Sequence, residues 1–132
     1  MSNGSWMAGA EVLESAVKLA RVMQAAPQSE EFQSARSTFA SDPGLTPLLS
    51  RLRQLSRSLQ DAKADGRGLV GTDARELAEL QGKIHAHPLF IRQQDAFSSL
   101  VEMFQQVNQA ISVELGVDFA ANAAPRGGSC CG

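Results

Sequence analysis

The stretch Pro88–Leu115, PLFIRQQDAFSSLVEMFQQVNQAISVEL, constrains what this chain can fold into more than any other. Phe90, Phe97, Phe104 and Ile111 recur every seven residues, and Leu100, Val101, Val107 and Leu115 fill neighbouring positions. That spacing gives a long helix one apolar face. Pro88 suits a first helical position, where its missing N–H costs nothing, and Gly116 suits a left-handed stop. At about 1.5 Å per residue the helix is roughly 42 Å long, whereas a compact domain of this size has a radius of gyration of only about 14 Å. The rod must project from its own fold or run the length of it. Its apolar face needs a cover, from the rest of the chain or from a second chain.

The remaining segments read as shorter helices. Residues 1–7 are expected to be disordered, with a first helix from about Met7 to Ala26 carrying Val12, Leu13, Ala16, Val17, Ala20 and Met23 at spacings of three and four. Pro27 ends it, and Ser29 caps a second helix whose Glu30 and Glu31 lie at the positive end of the dipole. This helix is expected to turn Phe32, Ala35, Phe39 and Ala40 inward. After the break at Ser41-Asp-Pro-Gly44, in which Asp42 and Pro43 are expected to form the next cap and first turn, a leucine stripe from Leu45 to Leu59 marks a third helix with Pro47 in its first turn or with its start at Thr46. Gly66-Arg-Gly-Leu-Val-Gly71 is a connector of hairpin length, after which Thr72 caps a fourth helix with Leu77, Leu80 and Ile84 inward. His87-Pro88 ends that helix and opens the fifth.

No stretch alternates with period two, so the expected fold is all-α: an elongated helical bundle of about five helices with a long C-terminal helix and a flexible cysteine-containing tail. Short links favour antiparallel neighbours for the third to fifth helices, and the first two are expected to cap one end. Residues 8–119 would then form one helical domain, followed by a flexible tail at 120–132.

Composition removes several classes of function. Of 132 residues 43% are hydrophobic and 20% charged, with a net charge of −2, which offers no global attraction to nucleic acid or an anionic membrane. No apolar run approaches the ~20 residues of a membrane helix, and MSNGSWMAGAEVLE has neither a basic region nor a long apolar core. A cytoplasmic protein without a signal peptide is expected. Both cysteines fall within the last three residues, where they cannot staple the fold.

The order of these features resembles the YlbF/YmcA family of small bacterial helical proteins. The resemblance covers about Ala8 to Phe119. Its carriers are Ala16-Val-Lys-Leu-Ala20, Ser29-Glu-Glu-Phe-Gln33, Phe39, Asp42-Pro43, the Leu77–Ile84 helix, the His87-Pro88 break, Val107-Asn-Gln-Ala-Ile111 and Leu115-Gly-Val-Asp-Phe119. It implies a non-catalytic regulator that self-associates through helices and works in complexes with related family members and other proteins. In the family such complexes control competence, biofilm formation and sporulation, and influence messenger-RNA processing by a membrane-associated endoribonuclease. The resemblance also implies iron–sulfur ligation by C-terminal cysteines. Here Cys130 and Cys131 are adjacent, whereas a cluster takes four thiolates, so a cluster would have to be shared between chains.

The candidate residues follow. Cys130 and Cys131, after the glycine-rich lead-in, either hold a metal or cluster at a subunit junction or form an exposed tail with no specific chemistry. Phe90, Phe97, Leu100, Phe104, Val107 and Ile111 form the expected core or oligomer and partner interface. Asn108 lies beside them, either fixing register through a buried hydrogen bond or facing water. Arg53 and Arg57 share a helix face that could meet RNA, but no aromatic residues interleave with them, which favours a solvated face with pairs such as Arg57–Asp61. His85 and His87 diverge on a helix and make a poor metal pair. No Gly-x-Ser-x-Gly, phosphate loop or Glu-x-x-His pair is present, so neither a catalytic site nor a resident cofactor other than a shared cluster is expected.

Overall fold

The computed structural model describes residues 3–125. Among them are six helices and no strand: α1 (Asn3–Gln24), α2 (Pro27–Ser41), α3 (Thr46–Ala64), α4 (Thr72–His85), α5 (Pro88–Leu115) and α6 (Phe119–Ala123). The fold is all-α, with the long helix spanning the stretch its apolar periodicity marks out. Helix α1 starts at Asn3, four residues before the expected Met7, and α6 adds a short turn of helix where the tail was expected to have begun.

Most helix ends are set by backbone geometry rather than by the side-chain caps expected. Pro27 is the first residue of α2, and its N-cap Ala26 makes no side-chain cap bond. Ser29 therefore sits inside the first turn, buried, and its hydroxyl donates to the Met23 carbonyl at the end of α1. Thr72 likewise is the first residue of α4, after Gly71 at φ 65°. Helix α3 closes through Gly66 at φ 75°, with the Gly66 and Arg67 amides donating to Lys63 and Ala62 carbonyls in a Schellman arrangement. Gly116, also at φ 75°, ends α5 as its position in the sequence predicts. His87 does more than end α4. Its Nδ1 accepts from the Leu89 amide at 3.1 Å, which caps α5 at the turn where Pro88 has no N–H to offer.

Two limbs result. In the first, α2 packs antiparallel on the N-terminal half of α5, with the small buried residues Ala35 and Ala96 on the two helices. Ring pairs flank them, Phe32 with Phe97 at 5.6 Å and Phe39 with Phe90 at 6.0 Å between centroids. The partner number on α5 falls as that on α2 rises, which fixes the antiparallel sense. Helix α1 then continues along the C-terminal half of α5, so the first two helices run beside the rod instead of capping one end. The cause is the short link at Ala25-Ala26. Its amides bond to Arg21 and Met23 carbonyls, those of Ser29 and Glu30 bond to the extended Ala26, and the Ser29 hydroxyl spans the break to the Met23 carbonyl.

The second limb is the α3–α4 hairpin, with Leu55, Leu80 and Ile84 buried. Leu45, with no exposed surface, lies in the Asp42–Leu45 turn that joins the limbs. The Asp42 carboxylate accepts from its amide at 3.0 Å. Close by in the chain fold, Phe90 stacks on His85 at 4.8 Å as well as meeting Phe39.

Candidate functional site

Each limb is held in register by one bidentate ion pair. Arg51 donates to both carboxylate oxygens of Glu76 across the hairpin, at 2.7 and 2.8 Å, and Arg92 donates to both of Glu31 between α5 and α2, at 2.9 and 3.3 Å. Arg92 also reaches the Ser34 hydroxyl. These hydrogen bonds, opposed by a smaller desolvation effect and reinforced by the guanidinium charge, hold both glutamates below the usual carboxylate range. A lowered folded-state pKa means that the stabilisation is complete above the unfolded value, near 4.5, and is lost as the pH falls through the folded one. A Glu31→Gln/Glu76→Gln variant should accordingly show a shallower fall of melting temperature than wild type as the pH is lowered from about 4.5. Circular-dichroism melts across that range check it, and parallel curves would deny the pairs a role.

Arg51 is thus committed to α4, while Arg53 and Arg57 point to solvent. The expected Arg57–Asp61 pair does not form: the ion pairs among the described residues are Glu14–Lys18, Arg51–Glu76, Asp65–Arg67 and Glu31–Arg92.

The residues expected to form one interface are divided by the fold. Leu100 is in the core, 9% exposed, and Phe90 is half-buried between Phe39 and His85. Val107 and Ile111 are also half-buried. Phe97 and Phe104 remain 47% and 45% exposed. What covers the rod along its N-terminal half is α2. Along its C-terminal half it is α1, which does so incompletely.

That incompleteness is the main feature of the surface. A recess of about 340 Å³ opens between Met23, Ser29, Phe32, Leu100 and Phe104, where α1, α2 and α5 meet. It runs on into an apolar groove of about 410 Å³ between Val12, Ala16 and Leu19 of α1 and Ile111, Leu115 and Phe119. Helix α1 is exposed along its length from Gly9 to Val22, including Val12, Leu13, Val17 and Val22.

At the far end of the groove Asn108 has a definite job, one that the sequence left open. Its side-chain oxygen accepts from the Ala120 amide at 2.8 Å and from the Ser112 hydroxyl at 3.2 Å, and Ser112 in turn accepts from the Phe119 amide at 2.8 Å. Asp118 caps the Ala121 amide. Together they fold α6 back against α5 and set Phe119 over the groove. The sequence clue is the spacing Asn108-x-x-x-Ser112, two polar side chains on one face four residues apart, followed by Gly116 and Asp118.

Cys130 and Cys131, the candidate metal or cluster ligands, lie outside the described residues. Among the described residues no group of three or more His, Cys, Asp or Glu is placed to hold a metal ion, and no helix is long and apolar enough to cross a membrane. The chemistry such a surface offers is apolar contact with another macromolecule.

Comparison with known families places this architecture. The family model described as control of competence regulator ComK, YlbF/YmcA, matches residues 12–115. That span runs from α1 to the last residue of α5. No curated protein and no solved structure matches the chain.

Proposed function

The chain belongs to the YlbF/YmcA family of competence-control regulators, and from that premise we propose that it is a non-catalytic adaptor. In this reading it works in the cytoplasm, self-associates through its helices and acts by binding other proteins, related family members among them. Through those partners it would bear on developmental regulation or RNA processing, without contacting nucleic acid itself. One observation carries the reading: the continuous apolar recess and groove left open between α1 and the C-terminal half of α5. Water against that much aliphatic and aromatic surface is unfavourable by about 25 cal/mol per Å², so a partner that covers it gains binding energy without needing a reactive group.

The test is light scattering on the full chain at micromolar concentration, together with affinity purification from its native cells. A dimer or larger assembly that retains defined protein partners is expected. A monomer that retains none would overturn the proposal.

A second reading, a redox sensor holding an iron–sulfur cluster between chains, draws on the adjacent Cys130 and Cys131, since two chains would together bring four thiolates. Anaerobically purified and reconstituted protein should then carry iron that C130S/C131S protein lacks. Equal, negligible iron in both would remove this reading.

A further inference from the structure

Helix α6 is lightly anchored. None of its residues is buried, it carries no charged side chain, and at five residues it is too short to persist by itself. What holds it is a small set of hydrogen bonds. Asn108 accepts from the Ala120 amide, Ser112 from the Phe119 amide and Asp118 from the Ala121 amide, and all three bonds lie open to solvent. Water competes for each of them, so their net worth is small. Gly116, at φ 75°, makes the bend between α5 and α6, and nothing stands within 4 Å of where its Cβ would be. The segment can swing on Gly116 without unpacking α5.

The one large apolar side chain on α6 is Phe119. It is 44% exposed and lies at the end of the groove between α1 and α5. The other residues lining that groove belong to α1, from Val12 to Met23, and to α5, Ile111 and Leu115. Phe119 is therefore the one piece of the lining that can leave without parting the two walls. We propose that α6 is a reversible clasp: held shut by Asn108 and Ser112, it keeps the Phe119 ring in the end of the groove, and opened it frees that place for an aromatic or large aliphatic side chain of a protein partner.

The proposal rests on the partner-binding reading above and adds what controls access to that surface. The kind of group the place takes is set by what the clasp itself puts there, an aromatic ring on a short helix. A partner's side chain competes with Phe119, and its apparent affinity is scaled down by the fraction of molecules whose clasp is open. Were Phe119 only a wall, its loss would make the groove shallower and weaken binding there. A plug and a wall predict opposite signs.

Nile red, an uncharged dye that fluoresces in apolar surroundings, reads the groove without a partner. All variants are made in the full chain carrying C130S/C131S, which is also the reference protein. Asn108→Ala/Ser112→Ala and Phe119→Ala should each bind the dye on the order of tenfold more tightly than the reference, because a minor open state is commonly populated at 10% or less. Their far-ultraviolet circular dichroism should stay nearly unchanged, since five residues of helix are at stake. Adding Leu19→Gln, which makes a groove wall polar, should cancel the gain. N108C/A120C is the reversible form of the experiment, as these two residues are hydrogen-bonded in the closed clasp. Its oxidised form should bind the dye on the order of tenfold more weakly than the same protein reduced, and reduction should restore binding. Weaker binding by Phe119→Ala, or equal affinity of the oxidised and reduced forms, overturns the clasp and leaves the partner-binding reading to its own test. Negligible dye binding in open and closed forms alike overturns the clasp together with the groove as a binding surface.

Discussion

Leu45→Ala lowers the stability of the protein by about 2–5 kcal/mol, the range for emptying a fully buried leucine site that cannot collapse. Leu45 has no exposed surface, and it sits in the turn between the two limbs. Its amide is fixed on both counts, donating to the Asp42 carbonyl at 3.2 Å and to the Asp42 carboxylate at 3.0 Å. With the backbone held there, neighbouring side chains have little freedom to fill the space left by the isobutyl group. The core is small, so one lost leucine is a large share of what joins the hairpin to the rod. Urea unfolding followed by circular dichroism, at fixed protein concentration, should show the midpoint falling with the slope unchanged. A loss below about 1 kcal/mol would mean that the limbs do not depend on this turn.

Leu100→Asp carries the second large effect, several kcal/mol, because it places an unpaired carboxylate in a packed site where α5 meets the junction of α1 and α2. Leu100 is 9% exposed, whereas Phe104, one turn further along the same helix, is 45% exposed. Phe104→Asp can turn its carboxylate to water and should cost the folded chain only about 1 kcal/mol, the loss of part of one ring's burial. Phe97→Asp belongs with Phe104, with the Phe32 ring pair as its additional loss. Thermal melts of the three variants, read beside their oligomeric state, separate the roles. Equal destabilisation by Leu100→Asp and Phe104→Asp would show that Phe104 is covered in the working protein. On periodicity alone Phe97 and Phe104 look as central as Leu100, because a heptad count records which side of a helix a residue lies on and not how closely the next helix approaches.

Much of the architecture is legible in the residues. The 28-residue length of α5, its stop at Gly116, the hairpin link around Gly66 and the absence of strands follow from periodicity and from the backbone limits of proline and glycine. The caps at Ser29 and Thr72 do not, since an N-cap is one residue wide and a proline or a glycine with positive φ beside it takes precedence. The Arg51–Glu76 and Glu31–Arg92 pairs join residues 25 and 61 positions apart, so no local pattern announces them. Arg57 and Asp61, well spaced for a pair on one helix, stay apart.

A set of amphipathic helices around one long rod is already written in the residues, because helix length, phase and breaks are local properties of a few residues. The residues also place the two cysteines beyond the last long helix. What covers the rod depends on how the helices meet in space. The short link at Ala25-Ala26 sends α1 along the C-terminal half of α5, Asn108 and Ser112 fold α6 against it, and the cover is left incomplete. Which apolar residues are core and which are surface depends on the distance between helix axes. That distance is set by small residues such as Ala35 and Ala96 and by hydrogen bonds across the chain, and no single helix encodes it.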